Sequence, residues 1–386
     1  MSTFKVDGIR SNSASSDAIT LASDGTCTAN ITNKSNRNLV INGAMQVAQR
    51  GTSSTSDGYQ TVDRFQQADG NTGVTVTQSQ QSLSSSDTGP YEVGFRKYYR
   101  SALASAGTAN TNADMVIYSH LEAQDIANSG WNYTSASSYI TLSFWFRCST
   151  NQTFYFYFRS RDGSGQNYPF SFTASGNNTW TKVTKTIPGN SNLEFDNDNG
   201  MGLSFNWILF NGTDKTNNKT LNQWDAYSGS NVLPDMASTW LTAGASTFDV
   251  TGVQLEVGSV ATDFEHRSYG QELELCRRYF QVLVDDGTSK SFGNGTCYSE
   301  SNMHLIVQLN PEMRATPTLD YTSGSNYYDM FRDNSADQFD SFTLQSNSHK
   351  RAVDLFASGG ASGSQGASAL LRTNNSDAKI RFTAEL

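Results

Sequence analysis

Residues 139–148 read YITLSFWFRC, and their alternation decides the fold class. Ile140, Leu142, Phe144 and Phe146 share one side, and Thr141, Ser143, Trp145 and Arg147 share the other. Period-two alternation with β-branched and aromatic residues is the signature of a half-buried strand. Phe154, Phe156 and Phe158 then alternate with Tyr155, Tyr157 and Arg159, and MGLSFNWILF (201–210) repeats the pattern. Further strands are expected around Val74–Thr77, Met115–Leu121, Thr181–Ile187 and Phe248–Val257. Turn-forming clusters RDGSGQN, SGNN and DNDNG separate them. Many short strands at this spacing predict an antiparallel sandwich of the jelly-roll type.

Working outward, residues 1–37 read as a thin extended segment in which Ile19 and Leu21 flank one side of Asp24-Gly25 and Cys27, Ala29 and Ile31 the other. Such alternation around Asp-Gly predicts a hairpin. One hairpin cannot bury enough surface to stand alone, so it is expected to pair with other copies or with a partner. The body is expected over 38–267. SYGQELELCRRYF, Ser268–Phe280, is the one helical pattern, within a linking segment 268–282. Leu273, Leu275, Cys276, Tyr279 and Phe280 lie within about half its circumference, with Glu272 and Glu274 early and Arg277 and Arg278 late. Residues 283–386 return to short strands, including His304–Leu309, Ala352–Phe356, Ala369–Arg372 and Lys379–Thr383. They predict a smaller C-terminal β domain, with Ser358–Ser368 as a flexible loop.

Composition narrows the function classes. The 386 residues carry 27 basic and 36 acidic side chains, a formal charge of −9, which disfavours binding to nucleic-acid phosphates. Charged residues make up 16% and aromatics 12%, a balance that suits sheets with hydroxyl-rich outer faces. MSTFKVDGIR has no apolar signal-peptide core and no run suits a membrane span, so neither a leader nor membrane insertion is expected. Cys27, Cys148, Cys276 and Cys297 stand singly, which predicts reduced structural thiols and folding in a cytoplasm.

A nucleophile elbow, a P-loop, a dinucleotide-binding turn and a zinc-peptidase helix motif are all absent. No catalytic residue, metal site or cofactor is therefore assigned. His120, His266, His304 and His349 have no catalytic neighbour in sequence. Glu122, Glu194, Glu256 and Glu265 are candidates for a glycosidase pair only in that such pairs meet in space. DNDNG reads as a plain turn in preference to a calcium loop. The outward residues of the two aromatic strands are a better candidate site. If those strands pair, Trp145, Tyr155 and Tyr157 form a platform edged by Arg147 and Arg159. Sugars stack on such rings through their apolar C–H faces. The competing reading is that the other sheet, or a neighbouring subunit, covers this face.

Several segments resemble a known family. MSTFKVDGIRSNSASSDAITLASDGT resembles the N-termini of virion appendage proteins of marine tailed bacteriophages, especially those infecting cyanobacteria. NLVINGAMQVAQRG (38–51), followed by Val62-Asp63-Arg64-Phe65, is similar to the first strand of a jelly-roll module common in tail-fibre-like proteins. TGVQLEVGS (251–259) and FEHRSYGQELELCRRYF (264–280) resemble its closing strand and following helix. MRATPTL (313–319) resembles a segment of their C-terminal β domains. Asp263 stands where the family often has proline.

The resemblance implies a homotrimeric, non-enzymatic structural protein of the virion with a carbohydrate-binding-module-like jelly roll. It implies contacts to other virion proteins through the N-terminus and to host cell-surface glycan. Two alternatives remain: a capsid-decorating head fibre, and a polysaccharide depolymerase. In this picture Gln254 and Glu256 present a polar side outward. Phe264, Tyr269, Leu273 and Phe280 tie the jelly roll to the C-terminal domain. Glu265, His266 and Arg267 are placed at an intersubunit or interdomain junction.

Overall fold

A computed structural model describes residues 6–386 apart from 16, 22, 24–26, 30–34, 286, 333 and 360–362. Three short strands, β1 (Gly8–Ile9), β2 (Ile19–Leu21) and β3 (Cys27–Ala29), form a small antiparallel sheet. β2 and β3 pair as expected from the sequence, while Asp24-Gly25 itself lies outside the described residues. Among the described side chains of residues 6–37, none is buried.

The body follows as β4 (Ser53–Ser54), β5 (Phe65–Gly70), β6 (Val76–Ser82), β7 (Lys97–Leu103), β8 (Asp114–Glu122) and α1 (Ala123–Ala127). β9 (Tyr139–Cys148), β10 (Asn151–Ser160), β11 (Gln166–Ser175) and β12 (Thr181–Pro188) come next. β13 (Met201–Asn211), β14 (Asp225–Ala226), α2 (Thr239–Thr242) and β15 (Thr247–Val257) complete it. Sheet I has the order β14-β11-β10-β13-β8-β5, and sheet II the order β12-β9-β15-β7-β6-β4. All pairings within them are antiparallel, and successive strands repeatedly change sheet, which makes the body a jelly-roll sandwich.

The core is the apolar stripe read from sequence. Phe144 and Phe146 of sheet II meet Phe156, Phe172 and Trp207 of sheet I, with ring centroids 4.8–6.3 Å apart across Phe144–Phe156, Phe144–Trp207 and Phe146–Phe172. Offset and edge-on aromatic pairs at these separations add to the burial of large apolar area. Cys148 and Cys276 are buried free thiols whose acidity is suppressed by burial, Cys148 being pushed up to about 12.

The first and last segments of the body close on one another. Leu39 N donates to Leu255 O at 2.9 Å, and Val253 N donates to Gly43 O at 2.9 Å. Asn38 bridges both ends, accepting from Val40 N and Leu255 N and donating to Val253 O. Gln254 and Glu256 are buried, contrary to expectation, because the return segment 258–267 covers them. Thr262 N and Oγ1 donate to the Glu256 carboxylate at 2.9 and 2.7 Å, and Glu265 N donates to Gln254 Oε1 at 2.8 Å.

The helix is shorter than its sequence pattern. α3 spans Tyr269–Arg277, opened by a capping box between Ser268 and Gln271. Phe280 instead begins β16 (Phe280–Val284), because it pairs with Thr383 in a three-stranded sheet. The helix buries Glu272 and Cys276 and leaves Tyr269 and Leu275 exposed, so Tyr269 does not tie the domains together. Glu272 is held inside by Asn42 N and Arg267, whose donors replace its lost hydration.

The C-terminal domain adds β17 (Ser291–Ser299), β18 (Asn302–Gln308), β19 (Thr318–Tyr321), β20 (Tyr328–Arg332), β21 (Ser335–Phe339) and β22 (Thr343–Leu344). β23 (Ala352–Ser358), β24 (Ser368–Thr373) and β25 (Ile380–Thr383) finish the chain. The order β16-β25-β19 faces a seven-stranded sheet, β21-β20-β24-β17-β18-β23-β22, around a separate core that includes Met303, Leu305, Tyr328, Leu355 and Phe382.

Three carboxylates couple this fold to pH. Burial raises Asp63 and Asp125 from 3.8 to about 6, and burial with the neighbouring Asp57 does the same to Asp69. Between about pH 4 and 6 the folded chain therefore binds protons that the unfolded chain has released, so their contribution falls as pH rises through that window. Buried His120, held neutral with its pKa lowered to about 3, works the other way below pH 6.5. The three carboxylates together outweigh one imidazole, so thermal unfolding is expected at a higher temperature at pH 5 than at pH 7. Asp125→Asn should raise the pH 7 midpoint and flatten the profile; an unchanged profile would overturn the assignment.

Candidate functional site

β9 and β10 do not pair. They are joined by Ser149-Thr150 alone, yet β9 lies in sheet II between β12 and β15, and β10 in sheet I between β11 and β13. The expected single platform is thus split, with Trp145 and Arg147 on one outer face of the sandwich and Tyr155, Tyr157 and Arg159 on the other.

The Trp145 half is covered. Residues 83–96 lie across sheet II, close enough that a Cβ at Gly89 would stand 2.7 Å from Trp145 Cζ3. Trp145 borders a hollow of about 310 Å³ with Phe95, Lys182, Phe264 and His266. Arg147 is bound within the chain: its Nε donates to Asp249 Oδ2 at 2.7 Å, Nη2 donates to Tyr98 Oη at 2.9 Å, and Nη1 pairs with Asp87. Its guanidinium also lies 4.7 Å from the Trp180 ring. Asp249 is fully buried and shares its charge with Arg100 and Arg147. Arg147→Ala is expected to cost about 2–3 kcal/mol of stability, the worth of charge-assisted hydrogen bonds to a buried carboxylate. Chemical unfolding of the variant measures it, and ligand binding should be unchanged.

The other half gathers more than the sequence showed. Across sheet I the register places Pro169, Tyr157, Asn206, Tyr118 and Gln66 in one row. Arg159, Ser204 and His120 form the next. Arg161, two residues beyond Arg159, donates from Nε to Ser204 Oγ at 2.7 Å. His120 Nδ1 lies 3.0 Å from the same hydroxyl, and its Nε2 lies 3.2 Å from Gln66 Nε2. An amide nitrogen only donates, so His120 Nε2 accepts and Nδ1 carries the proton. Burial and the charges of Arg161 and Arg64 push His120 down to about 3, so the ring is neutral.

The loop between β13 and α2 covers one end of this face, packing Val232, Leu233 and Met236 against Tyr155 and Tyr157. Tyr157 is consequently only 7% exposed and is no open platform. Tyr118, Tyr227, Arg159 and Arg161 are half-buried and line what remains, with the Arg159 guanidinium 3.4 Å from the Tyr227 ring centre. Tyr118 and His120 were legible as outward positions of their strand. Tyr227 comes from a loop, and no sequence pattern points to it.

At the domain junction, Glu265 accepts from Asn38 N at 2.7 Å and from Asn36 N. His266 Nε2 lies 2.9 Å from Val93 O. Arg267 donates to Val40 O at 3.2 Å and to Asn38 O. All three therefore serve contacts within the chain. Leu273 is half-buried and Phe280 is fully buried beneath the Arg50 guanidinium, 3.6 Å from its ring centre. In DNDNG, Gly200 N donates to Asp198 Oδ1 at 2.8 Å, and Asn199 O accepts from Arg314 Nη1 at 2.8 Å. That turn is a brace between the two domains. Among the described residues no three His, Cys, Asp or Glu side chains come together as a metal site, and no helix is long and apolar enough to cross a membrane.

The molecule is thus a jelly-roll β protein with one aromatic, cationic outer face. No protein-family model matches the chain, and no curated protein matches it. Among solved structures it is similar to the enzymatically active domain of bacteriophage CBA120 tailspike protein 4, at 11% identity and TM-score 0.29. That match covers 57% of this chain and 21% of the tailspike chain, so this protein spans about a fifth of it. It is also similar to a family 11 carbohydrate-binding module from Clostridium thermocellum solved with a mixed-linked tetrasaccharide. Identity there is 13% and the TM-score 0.27, over 55% of this chain and 98% of that one. A putative sugar-binding protein from Bacteroides thetaiotaomicron gives 10% identity and TM-score 0.27, covering 57% and 100%. Superpositions this loose carry no argument about what the chain does.

Proposed function

We propose that this chain is a non-catalytic, glycan-recognising component of a phage virion, a homotrimeric tail fibre or appendage held to the particle by its N-terminal segment. One observation carries the recognition step: the outer face of sheet I sets the half-buried Tyr118 and Tyr227, packed at the margin of the Val232 and Leu233 cluster, beside Arg159, Arg161 and Gln66. The accessible parts of these rings offer stacking area for the C–H faces of a sugar, and guanidinium and amide groups offer donors to its hydroxyls. Three weak sites on one trimer, repeated over several fibres, gain avidity through effective concentration.

The N-terminal sheet supports attachment and self-association, since its described side chains have no core of their own. The sequence resemblance supports the virion setting. Affinity electrophoresis of the full chain against a panel of host-surface polysaccharides tests recognition. Tyr118→Ala and Tyr227→Ala are each expected to weaken retention roughly tenfold, about what an aromatic stacking contact is worth. Retention unaffected by both would overturn the site. Light scattering tests assembly: a species near three times 42.2 kDa is expected, and a monomer would overturn the trimer. Removing residues 1–37 shows whether that segment drives assembly or attachment alone.

A further inference from the structure

We propose that the face of sheet I recognises an anionic sugar, one bearing a carboxylate or a sulfate ester, through Arg159 and Arg161; this rests on the glycan reading above.

The argument is one of unmatched charge. The chain carries 36 acidic residues against 27 basic ones, and most of its other buried or half-buried arginines meet a carboxylate, Arg314 bonding backbone carbonyls and Arg277 forming no ion pair among the described residues. Arg50 and Arg64 meet Glu385, Arg100 and Arg147 meet Asp249, and Arg278 meets Glu122. Arg159 and Arg161 project from the same side of one strand end, two residues apart, so their like charges face the same space. Among the described residues neither forms an ion pair. The Arg159 side chain makes no hydrogen bond among the described residues, and its Nε is buried without a partner. Arg64 and Arg372 also leave an Nε unbonded, but each of those holds a carboxylate with its terminal nitrogens.

Neighbouring groups supply no opposite charge, and the Tyr227 ring under Arg159 relieves it only in part. Ser204 Oγ is a neutral acceptor, His120 is neutral, and Tyr118, Tyr157 and Tyr227 are phenols. Burial, with the Arg159 charge second, lowers the proton affinity of Arg161 below the ordinary arginine range. Two adjacent, partly desolvated cations are costly, and folding tolerates them where a bound anion completes the site. The guanidinium fork matches the paired oxygens of a carboxylate or a sulfate. Tyr118 and Tyr227 flank the cations, so the anion would be carried on a ring that stacks. Sugar acids and sulfated sugars combine those two features.

The test uses the full chain in affinity electrophoresis with three probes: polygalacturonate, the same polymer with its carboxyl groups reduced to alcohols, and a sulfated galactan. Retention is expected on at least one acidic polymer and absent on the reduced one. Whichever acidic probe binds distinguishes carboxylate from sulfate. Arg161→Gln, which keeps Arg159 stacked on Tyr227, is expected to weaken binding roughly ten- to a hundredfold. Arg159→Gln should do the same, with the melting profile as a check on folding. Arg96→Gln, an exposed arginine whose Nη1 bonds Tyr91 O and Phe95 O, should leave binding unchanged.

Equal retention on the reduced polymer, or an Arg161→Gln variant that binds as tightly as the parent chain, overturns the anionic specificity and leaves glycan recognition standing. Equal loss in Arg96→Gln marks unspecific charge attraction and also overturns it. Acidic binding that survives Tyr118→Ala with Tyr227→Ala overturns this site, and retention on no polysaccharide overturns the glycan reading itself.

Discussion

Glu385→Ala is expected to lower stability by about 3–5 kcal/mol, the cost of leaving buried charges without their partner. Glu385 comes from the second-last residue of the chain but lies inside the junction between the domains. Its Oε1 accepts from Arg50 Nη2 at 3.1 Å, and its Oε2 pairs with Arg64. The side chains of Arg50 and Arg64 are 7% and 2% exposed, so water cannot replace the lost carboxylate. Arg64 also donates to His120 O at 2.8 Å and stacks 3.5 Å from the Tyr279 ring centre. Its backbone holds the left-handed conformation at φ 69°, a strain that the surrounding contacts offset. Urea unfolding followed by tryptophan fluorescence measures the loss. Deleting Glu385 and Leu386 should reproduce it, and a truncated chain with unchanged stability would overturn the role given to this ion pair.

A methyl group at Gly43 is expected to be nearly as damaging, at about 3 kcal/mol, from overpacking and a lost backbone hydrogen bond. A Cβ on Gly43 would stand 2.0 Å from Val253 O. That oxygen belongs to the backbone of the closing strand and cannot swing away as a side chain can. The same contact carries the bond from Val253 N to Gly43 O, so relief of the clash separates the first and last segments of the body. Gly43→Ala should lower the unfolding midpoint, whereas Gly51→Ala, beside open space, is a weaker comparison because φ is +144° there. Gly270→Ala is the better control, with open space and no left-handed backbone. Equal stability of Gly43→Ala and the parent chain would overturn the closing contact.

Side-chain alternation determined a great deal by itself. Each aromatic strand has one viable apolar side, so Phe144, Phe146, Phe154, Phe156 and Phe158 could only point inward, and the structure buries all five. Ser268 and Gln271 likewise fixed where the helix begins, because a cap is a local hydrogen bond. The end of that helix was not local. Tyr279 and Phe280 suit its apolar side, but strand pairing with Thr383, a hundred residues later in rough terms, claimed Phe280 for β16.

Which sheet a strand joins was decided only by tertiary structure. Both sheets of a sandwich turn their apolar sides toward one core, so β9 and β10 carry the same pattern whether they pair or face each other. One local clue separates the cases. Ser149-Thr150 lacks the glycine or asparagine that a two-residue hairpin turn requires, whereas the true hairpin between β10 and β11 contains Gly163 and Gly165 at φ 59° and 66°. Burial of the polar side of β15 was equally invisible, since the segment that covers Gln254 and Glu256 supplies backbone donors that any sequence carries. The candidate site shows the same division. Tyr157 and Arg159 were fixed as outward-facing by alternation, and Arg161 continues their side two residues on, while Tyr118 and Tyr227 reach them only through non-local pairing and a returning loop, where contact depends on chain path and leaves no period in the sequence.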